Sequence, residues 1–506
     1  MANFWIILKE NFLYDATRPL LFTQYFFWVF FLLVLLGYGF FYKNIKARNI
    51  YLFIVSLYFY YKTGGFFIFL LLFSIISNFY LGKGIYKSTN RSKRRIYVSL
   101  SVLVSLGILA YFKYAYLAVD FVNYVFGTSY KVVDYLALWT NAIAGSHFNI
   151  SAIVLPVGIS FFTFQSLSYT IDLYRKHCEP VRNAVDFGFF ISFFPQLVAG
   201  PILRASDFIP QMYSSYALTS REMGHAMFLI ANGLVKKMII SDYISINFVD
   251  RVFDNPLSYS GFENLMAVYG YTLQIYCDFS GYTDIAIGLA LLMGFHIPLN
   301  FNSPYKATNL TDFWHRWHIS LSSWLRDYLY IPLGGNRKGK VRTYINLMLT
   351  MLLGGLWHGA SLRFIIWGGI HGLGLVIDKL RFKYVRAFNF GLAKVFSVFI
   401  TFHIVAFAWI FFRANSMQHI QDILGQISGH FYWNLVPQII AGYRLVFSII
   451  LLGFLIHWLP SSLKEKVRGW FIITPVYAKV AIAVCVVILI YQFKSSVLQP
   501  FIYFQF

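Results

Sequence analysis

Long apolar runs recur along almost the whole chain, and they limit its possible folds more than any other feature. A helix that crosses a bilayer needs about 20 predominantly apolar residues. Runs that approach this length lie near residues 22–41, 50–61, 66–82, 97–117, 152–171, 186–199, 223–240, 264–293, 343–357, 363–377, 396–412, 443–459 and 477–493. Glycine or proline interrupts some of the shorter runs, which favours half-spanning or re-entrant helices there. The pattern predicts an all-α, polytopic integral membrane protein with about 11 transmembrane helices plus re-entrant and interfacial helices.

The composition and charge support a membrane environment. Hydrophobic residues make up 58% of the chain and charged residues only 12%, whereas a soluble globular chain carries about 25% charged residues. The net charge of +22 comes largely from short basic clusters such as 43–49, 84–96 and 379–386. Clusters between apolar runs are typical of cytoplasmic loops, so we expect these loops inside and no nucleic acid as a partner. The loop 119–150 and most of 413–442 are poor in basic residues and are expected outside, together with the N-terminus.

No tandem repeat, low-complexity linker or soluble domain interrupts the sequence. We therefore expect a single integral membrane domain over residues 1–506. Within it, residues 1–150 would supply N-terminal spans, 151–420 the motif-bearing core and 421–506 C-terminal spans. The three cysteines have no spacing typical of a disulfide or metal framework, and we expect them to be ordinary core residues.

Residues 295–342 form a polar island between apolar runs. We predict a helix from about Leu310 to Tyr330, because aromatic residues recur there at spacings of three and four and the segment ends near Pro332. Its aromatic stripe includes Trp314, Trp317 and Trp324. Such a stripe suits a helix at the membrane interface or one packed beneath the spans.

Three polar residues of this predicted helix could share one broad face. Asp312, His315 and His318 stand at positions i, i+3 and i+6. One acid and two imidazoles could form either a metal site or an acid–base site. The sequence contains no HExxH box, and its 12 histidines are scattered with no two adjacent. We therefore expect no metal.

A histidine also stands in the apolar segment MLLGGLWHGAS, at position 358. Burying an imidazole in a membrane is costly unless it faces a cavity or a partner. His358 is therefore either a structural histidine hydrogen-bonded to a neighbouring helix or a general base, with His318 as a second imidazole. His371, in WGGIHG, has a similar glycine setting and is expected to pack or to line a cavity. No GxSxG or GxxxxGK[ST] motif offers a competing site.

Several long motifs, taken together, resemble one known family. They are DFWHRWHISLSSWLRDYLYIPLGGNRKG (312–339), LLGGLWHGASLRFIIWGGIHG (352–372), LPVGISFFTFQSLSYTIDLYR (155–175), FFPQLVAGPILR (193–204), QIYCDFSGYTDIAIGLALLMG (274–294) and FAWIFFRA (407–414). From about residue 150 onward the chain resembles the membrane-bound O-acyltransferase family, and within it the alginate O-acetyltransferase subgroup. The first 150 residues match that family only in hydropathy.

The resemblance implies a helical enzyme built around a central tunnel, in the bacterial cytoplasmic (inner) membrane. It implies that His358 is the catalytic histidine of the family and that His318 is the second catalytic position. No cofactor would be bound, since acetyl-CoA would enter as the acyl-donor substrate.

Other side chains would line the tunnel or hold the donor. Trp357 and the tryptophans at 314, 317 and 324 would exclude water from the tunnel, and His371 would line a cavity. The CoA phosphates would meet the basic side chains Arg316, Arg326, Arg337, Lys338 and Lys340.

The resemblance also implies partners. Extracytoplasmic acetyltransferase proteins would receive the acetyl group and pass it to a polysaccharide, in an exopolysaccharide pathway of the alginate type, while membrane lipid surrounds the protein. One alternative is transfer of a D-alanyl or other acyl group from an acyl carrier protein to a cell-envelope polymer. A different class is a transporter or flippase, to which broken helices and polar residues at the membrane midplane are also suited.

Overall fold

The computed structural model describes residues 12–15, 18–144, 148–384, 391–493 and 501. Helices alternate with turns and loops throughout these ranges, and no strand occurs within them. This confirms the predicted all-α class. The chain contains two compact units, the first formed by residues 1–198, 203–215 and 359–361 and the second by 199–202, 216–358 and 362–506.

The first unit is built from nine labelled helices within its described residues. They are α1 Tyr25–Phe41, α2 Ile45–Gly64, α3 Ile68–Lys87, α4 Arg91–Phe126, α5 Tyr135–Ala144, α6 Ile159–Arg175, α7 Ala184–Ser192, α8 Phe194–Leu197 and α9 Ala205–Met212. Buried polar side chains join three of them: the Ser101 hydroxyl of α4 donates to Asn78 of α3 at 2.6 Å and lies 2.8 Å from the Thr170 hydroxyl of α6. Hydrogen bonds of this kind hold helices together in a medium that supplies no water.

The second unit contains the polar island and both candidate catalytic histidines. Its helices are α10 Ser220–Leu234, α11 Asp242–Ile244, α12 Asp250–Asp254, α13 Gly261–Leu292, α14 Leu310–Arg316, α15 Ile319–Leu325, α16 Lys340–His358, α17 Leu362–Tyr384, α18 Gly391–Arg413, α19 Met417–Gly429, α20 Val436–Gly442, α21 Arg444–Trp458, α22 Ser461–Ile473 and α23 Val476–Phe493. Three π-helical segments, Val235–Ser241, Ser245–Val249 and Arg326–Tyr330, join or extend them.

Within the described ranges, six helical runs are long and apolar enough to cross a membrane, and a seventh is added if α20 and α21, bent by 88°, form one span with the turn before them. The six are Ile45–Lys87, Arg91–Phe126, Ser220–Asp254, Gly261–Leu292, Gly391–Arg413 and Val476–Phe493. The protein is therefore polytopic, with fewer such runs than the eleven expected. Part of the difference arises because the predicted segments 50–61 and 66–82 fall in one run, and because the segments 22–41 and 152–171 form helices of only 17 residues, α1 and α6.

Buried and partly buried ion pairs lie within the run 220–254 and between this run and α13. Lys236 lies 2.7 Å from Asp284, and Lys237 lies 2.8 Å from Asp242 and pairs with Asp278. Both lysines belong to the π-helical segment Val235–Ser241. Pairing compensates charges that would otherwise be costly at membrane depth.

The helix predicted from Leu310 to Tyr330 is interrupted. α14 ends at Arg316 and α15 begins at Ile319, because His318 adopts left-handed backbone angles (φ 43°, ψ 55°). His315 is consequently exposed while His318 is fully buried. The prediction that Asp312, His315 and His318 share one helix face is therefore wrong.

Candidate active site

The His358 imidazole ends α16 and lies among aromatic rings. It is 5% exposed. Its ring centroid lies 4.9 Å from Trp357, 5.1 Å from Trp367 and 5.2 Å from Phe412. These three residues come from α16, α17 and α18, so three helices enclose the imidazole.

The close packing of α16 against α17 determines where His358 lies. A Cβ at Gly355 would collide with the Phe364 carbonyl oxygen, and a Cβ at Gly368 would collide with that of Met351. Glycine at these two positions lets the helix backbones approach closely. Gly355, about one turn before His358, thus serves helix packing.

His371 of α17 also contacts Trp367, at 4.8 Å between ring centroids. Its side chain is fully buried, and its Nδ1 accepts a hydrogen bond of 3.3 Å from the Trp314 indole N–H. An indole nitrogen can only donate, so we assign the neutral His371 ring its proton on Nε2. Nε2 has no hydrogen-bond partner among the described residues.

His318 is held by Asn300. The Asn300 Oδ1 atom lies 3.1 Å from His318 Nδ1 and also accepts from the backbone N–H and the hydroxyl of Ser320, at 3.1 and 2.9 Å. The backbone donor identifies that atom as the oxygen, so Nδ1 carries the proton and Nε2 carries the lone pair. Burial lowers the pKa of His318 to about 3, which keeps the ring neutral at physiological pH.

A continuous series of aromatic contacts joins the two candidate catalytic histidines. His318 packs edge-on against Phe279 at 4.7 Å. From Phe279 the series passes through Phe301, Trp317, Trp409 and Phe412 to His358, with successive centroids 5.0, 5.1, 4.9, 5.3 and 5.2 Å apart. The structure thus places His318, His358 and His371 in one aromatic core of the second unit.

The tryptophans predicted to wall the site occupy different positions. Trp314 and Trp317 belong to this core, Trp314 beside His371 and Trp317 beside Trp409. Trp357 lies next to His358. Trp324 packs against Tyr328 within the same helical segment, at 5.1 Å.

The basic residues predicted to meet phosphates fall in two places. Arg326, which pairs with Asp327 at 2.6 Å, and the exposed Arg337 and Lys338 lie on or before the glycine-rich loop that precedes α16. The Asn346 side chain of α16 donates to the Gly335 carbonyl at 2.9 Å and ties this loop to the helix that carries His358. Arg316 instead pairs with Asp312 at 2.7 Å and faces a separate cavity.

Within the described part of the chain, no group of three or more His, Cys, Asp or Glu side chains is arranged to hold a metal ion. The expectation that no metal takes part rests on the sequence. The core instead supplies the neutral imidazoles of His318 and His371, and the Nε2–H of His371 is a hydrogen-bond donor. Such groups suit proton transfer.

Sequence reasoning missed Asn300, Trp367 and Trp409. The two tryptophans lie inside motifs that supported the family resemblance, so their motif membership was the signal. Asn300 lies in the segment LNFNSP, where nothing in the local pattern marks it as the partner of an imidazole 18 residues later.

Comparison with known proteins places these residues in a family. Residues 181–420 match the model of MBOAT, the membrane-bound O-acyltransferase family. The chain is 35% identical to the peptidoglycan O-acetyltransferase of Helicobacter pylori, over 76% of this chain and 75% of the relative. It is also 35% identical to a probable alginate O-acetylase AlgI of Pseudomonas putida, over 91% and 95%. The teichoic acid D-alanyltransferase of Bacillus subtilis is 30% identical over 52% and 70%.

Proposed function

This chain belongs to the membrane-bound O-acyltransferase family, and we propose that it transfers acetyl groups from cytoplasmic acetyl-CoA toward a polysaccharide outside the membrane. The observation that carries the proposal is the buried group of three imidazoles, of which His358 and His318 occupy the family's two catalytic motifs. The relatives whose names specify O-acetyl transfer support acetyl as the acyl group. Membership of an acyltransferase family argues against a transporter or flippase.

His358 is the proposed general base. It takes the proton from the acceptor hydroxyl as that oxygen attacks the thioester carbonyl. The C–O bond forms, the C–S bond breaks, and the proton passes from the His358 imidazolium to the departing CoA thiolate. The surrounding rings of Trp357, Trp367 and Phe412 exclude water, which would otherwise hydrolyse the donor.

The other two imidazoles have complementary hydrogen-bonding roles. His318 Nε2 carries a lone pair, so it can accept a hydrogen bond from a second N–H or O–H of the acceptor and orient it, while the reacting hydroxyl donates to His358. His371 Nε2 carries a proton, so it can donate to the thioester oxygen as negative charge develops there. These tautomers support a positioning role for His318 on the acceptor and a donor role for His371 at the carbonyl.

The loop before α16 is the proposed site for the donor phosphates. Arg326, Arg337 and Lys338 supply the charge, and Asn346 ties the loop to α16. Arg316, on α14, lies apart from this group and lines a separate cavity.

Partner proteins outside the cytoplasmic membrane would complete the relay. The direct acceptor is either a sugar hydroxyl or a hydroxyl on such a partner, and the polymer is an alginate-like exopolysaccharide or another envelope glycan. The names of the relatives, which include alginate and peptidoglycan acetylation, support this range of acceptors.

The test uses purified protein and radiolabelled acetyl-CoA, with and without extracytoplasmic partners. Wild type should release or transfer the label, and His358→Ala should lower turnover at least about a hundredfold, as expected for loss of a general base. The exposed His315 is the matched control, and His315→Ala should retain activity. A wild-type protein that neither hydrolyses nor transfers the label would contradict acetyl transfer.

Transfer of a D-alanyl group is the second candidate, favoured by the similarity to the Bacillus subtilis teichoic acid D-alanyltransferase. Its donor would be an acyl carrier protein. Supplying the same purified protein with D-alanyl-loaded carrier protein separates the two candidates, because only one donor should be turned over.

A further inference from the structure

A cavity of about 960 Å³ lies in the second unit, separate from the residues that surround His358. Its long walls are apolar stripes of two candidate spanning segments: α18 contributes Val398, Phe399 and Phe402, and α21 contributes Ile450 and Phe454. Its size is in the range of pockets that enclose small organic ligands, about 300–1,000 Å³.

The cavity opens toward the lipid-facing surface of these helices. Two of its lining residues, Phe399 of α18 and Leu451 of α21, are 57% and 62% exposed. Exposed large apolar side chains on spanning helices face acyl chains rather than water. A ligand of this cavity can therefore reach it from within the bilayer.

Positive charge exceeds negative charge along the cavity wall. Its charged side chains are those of Lys306, Arg316, Lys394 and Asp312, which gives three cations and one anion. Asp312 is already engaged by Arg316 at 2.7 Å, so it neutralises one cation. Lys306 and Lys394 leave a net charge of about +2 beside an apolar channel.

A further lysine lies close to this wall. The Lys464 ammonium donates to the His457 carbonyl at 2.7 Å and to the Ser303 hydroxyl at 3.2 Å, next to the segment that carries Lys306. Burial and then Lys306 lower the pKa of Lys464 to about 8, and burial and then Arg316 lower the pKa of Lys306. Burial is the larger cause of both shifts, and the neighbouring cations act in the same direction.

We propose that this cavity binds one anionic glycerophospholipid, with its phosphate held by Lys306, Lys394 and Arg316 and an acyl chain lying along the stripes of α18 and α21. Basic pockets between spanning helices on the cytoplasmic side suit anionic lipid head groups. Acetyl-CoA fits this cavity less well, because its acyl group is short and the walls are mostly apolar. The inference stands independently of the proposed acetyl transfer.

The bound lipid would contact the segment that carries part of the aromatic core. Asp312 and Arg316 lie on α14, and Trp314 of the same helix donates to His371. The phosphate would add a second anchor to α14 beside its ion pair. A lipid site at this position therefore ties the membrane composition to the packing around His371.

The test is native mass spectrometry of the full-length purified protein after detergent washing, with added phosphatidylglycerol or phosphatidylcholine. We expect one phosphatidylglycerol to remain bound per chain, and phosphatidylcholine to bind more weakly. The double variant Lys306→Gln/Lys394→Gln should weaken phosphatidylglycerol binding about thirtyfold, which corresponds to about 1 kcal/mol for each basic side chain. The matched control is Lys379→Gln/Lys466→Gln, which removes two exposed lysines outside the cavity wall.

Three outcomes would overturn the proposal. They are equal retention of the two lipids, equal loss in the double variant and its control, and displacement of the lipid by stoichiometric acetyl-CoA, which would make this the donor site. If the double variant is not monodisperse in detergent, Lys394→Gln alone carries the test, since Lys394 lies in the first turn of α18. That single change should weaken binding about fivefold.

Discussion

A single oxygen atom, Oδ1 of Asn300, fixes the geometry at His318. It accepts from the imidazole and from two groups of Ser320, and the Asn300 carbonyl accepts from the Ile319 N–H at 3.0 Å. These bonds hold the left-handed turn that ends one helix and begins the next. Residue-level rules could place a histidine here from its motif, but they could not identify Asn300, because that contact forms only when the two segments pack.

The buried, neutral state of His318 predicts acid sensitivity. Its pKa is about 3 in the folded protein and about 6.5 in an unfolded chain. The unfolded state therefore binds more protons between these values, so stability is full above about pH 6.5 and falls as the pH drops toward 3. At pH 5 this one group should cost about 2 kcal/mol of stability.

Thermal unfolding in detergent between pH 7.5 and 5 measures this effect. His318→Gln cannot titrate, so its midpoint should fall less over this interval than that of wild type. Parallel pH profiles for the two proteins would contradict the assignment of a buried neutral imidazole.

Trp314→Phe tests the tautomer assigned to His371. The phenyl ring keeps the contacts with Trp367 but removes the indole donor to Nδ1. The His371 proton is then no longer confined to Nε2, and we expect kcat to fall about fivefold, the value of one neutral hydrogen bond, with KM unchanged. Steady-state kinetics of the variant and wild type test this expectation. A change in KM alone would indicate that the Trp314 hydrogen bond has only a structural role.

At the scale of elements, the break between α14 and α15 determines which histidine side chain enters the core. The break at His318 turns the imidazole into the core while His315 stays outside. The periodic tryptophans correctly predicted helix on both sides of the break. Periodicity alone could not predict the break, because the bonds that stabilise it come from Asn300, outside the periodic segment.

The contact between α16 and α17 yields a matched pair of glycine variants. Gly368→Ala places a Cβ against the Met351 carbonyl, whereas at Gly369 the nearest atom to a new Cβ is Leu352 Cδ2 at 3.8 Å. We expect Gly368→Ala to destabilise the protein by about 1–3 kcal/mol and to lower activity by displacing His358. Gly369→Ala should match wild type in both melting temperature and turnover; equal effects of the two changes would argue against close backbone packing here.

The ion pair between α13 and the π-helical segment Val235–Ser241 predicts strong coupling. Asp284→Ala removes the carboxylate partner of Lys236, and breaking a largely buried ion pair typically costs about 3–5 kcal/mol. The double change Lys236→Met/Asp284→Leu removes both charges and should recover most of that loss. Yield and thermal stability of the singles and the double form the measurement, and additive losses would contradict the pairing.

At the scale of the whole molecule, hydropathy and charge clusters predicted the class of protein from the sequence. Within the described residues, fewer helical runs are long and apolar enough to span than the eleven expected, because some apolar segments form shorter helices, such as the 17-residue α1 and α6. The family motifs located His318 and His358. Asn300, which holds His318, lies in a loop, and Trp367 and Phe412, which enclose His358, lie on other helices, so these contacts required the folded structure.

The direction of insertion can be tested at the two ends of α4. This 36-residue candidate span joins the exposed Thr89 to the exposed Ser129. With Cys178 and Cys485 replaced, Ser129→Cys should react with a membrane-impermeant maleimide in intact spheroplasts, and Thr89→Cys only after permeabilisation. The reverse pattern would place the basic loops outside.

The bond between Asn346 and the Gly335 carbonyl fixes how far the loop lies from His358 along α16. Twelve residues separate Asn346 from His358, which is about 18 Å along a helix. If the donor phosphates bind at the loop, as proposed, the donor has to span that length to present its thioester to the imidazole. Short activated acetyl compounds, such as acetyl phosphate, cannot be held at both ends, so the enzyme would select its donor by reach as well as by chemistry.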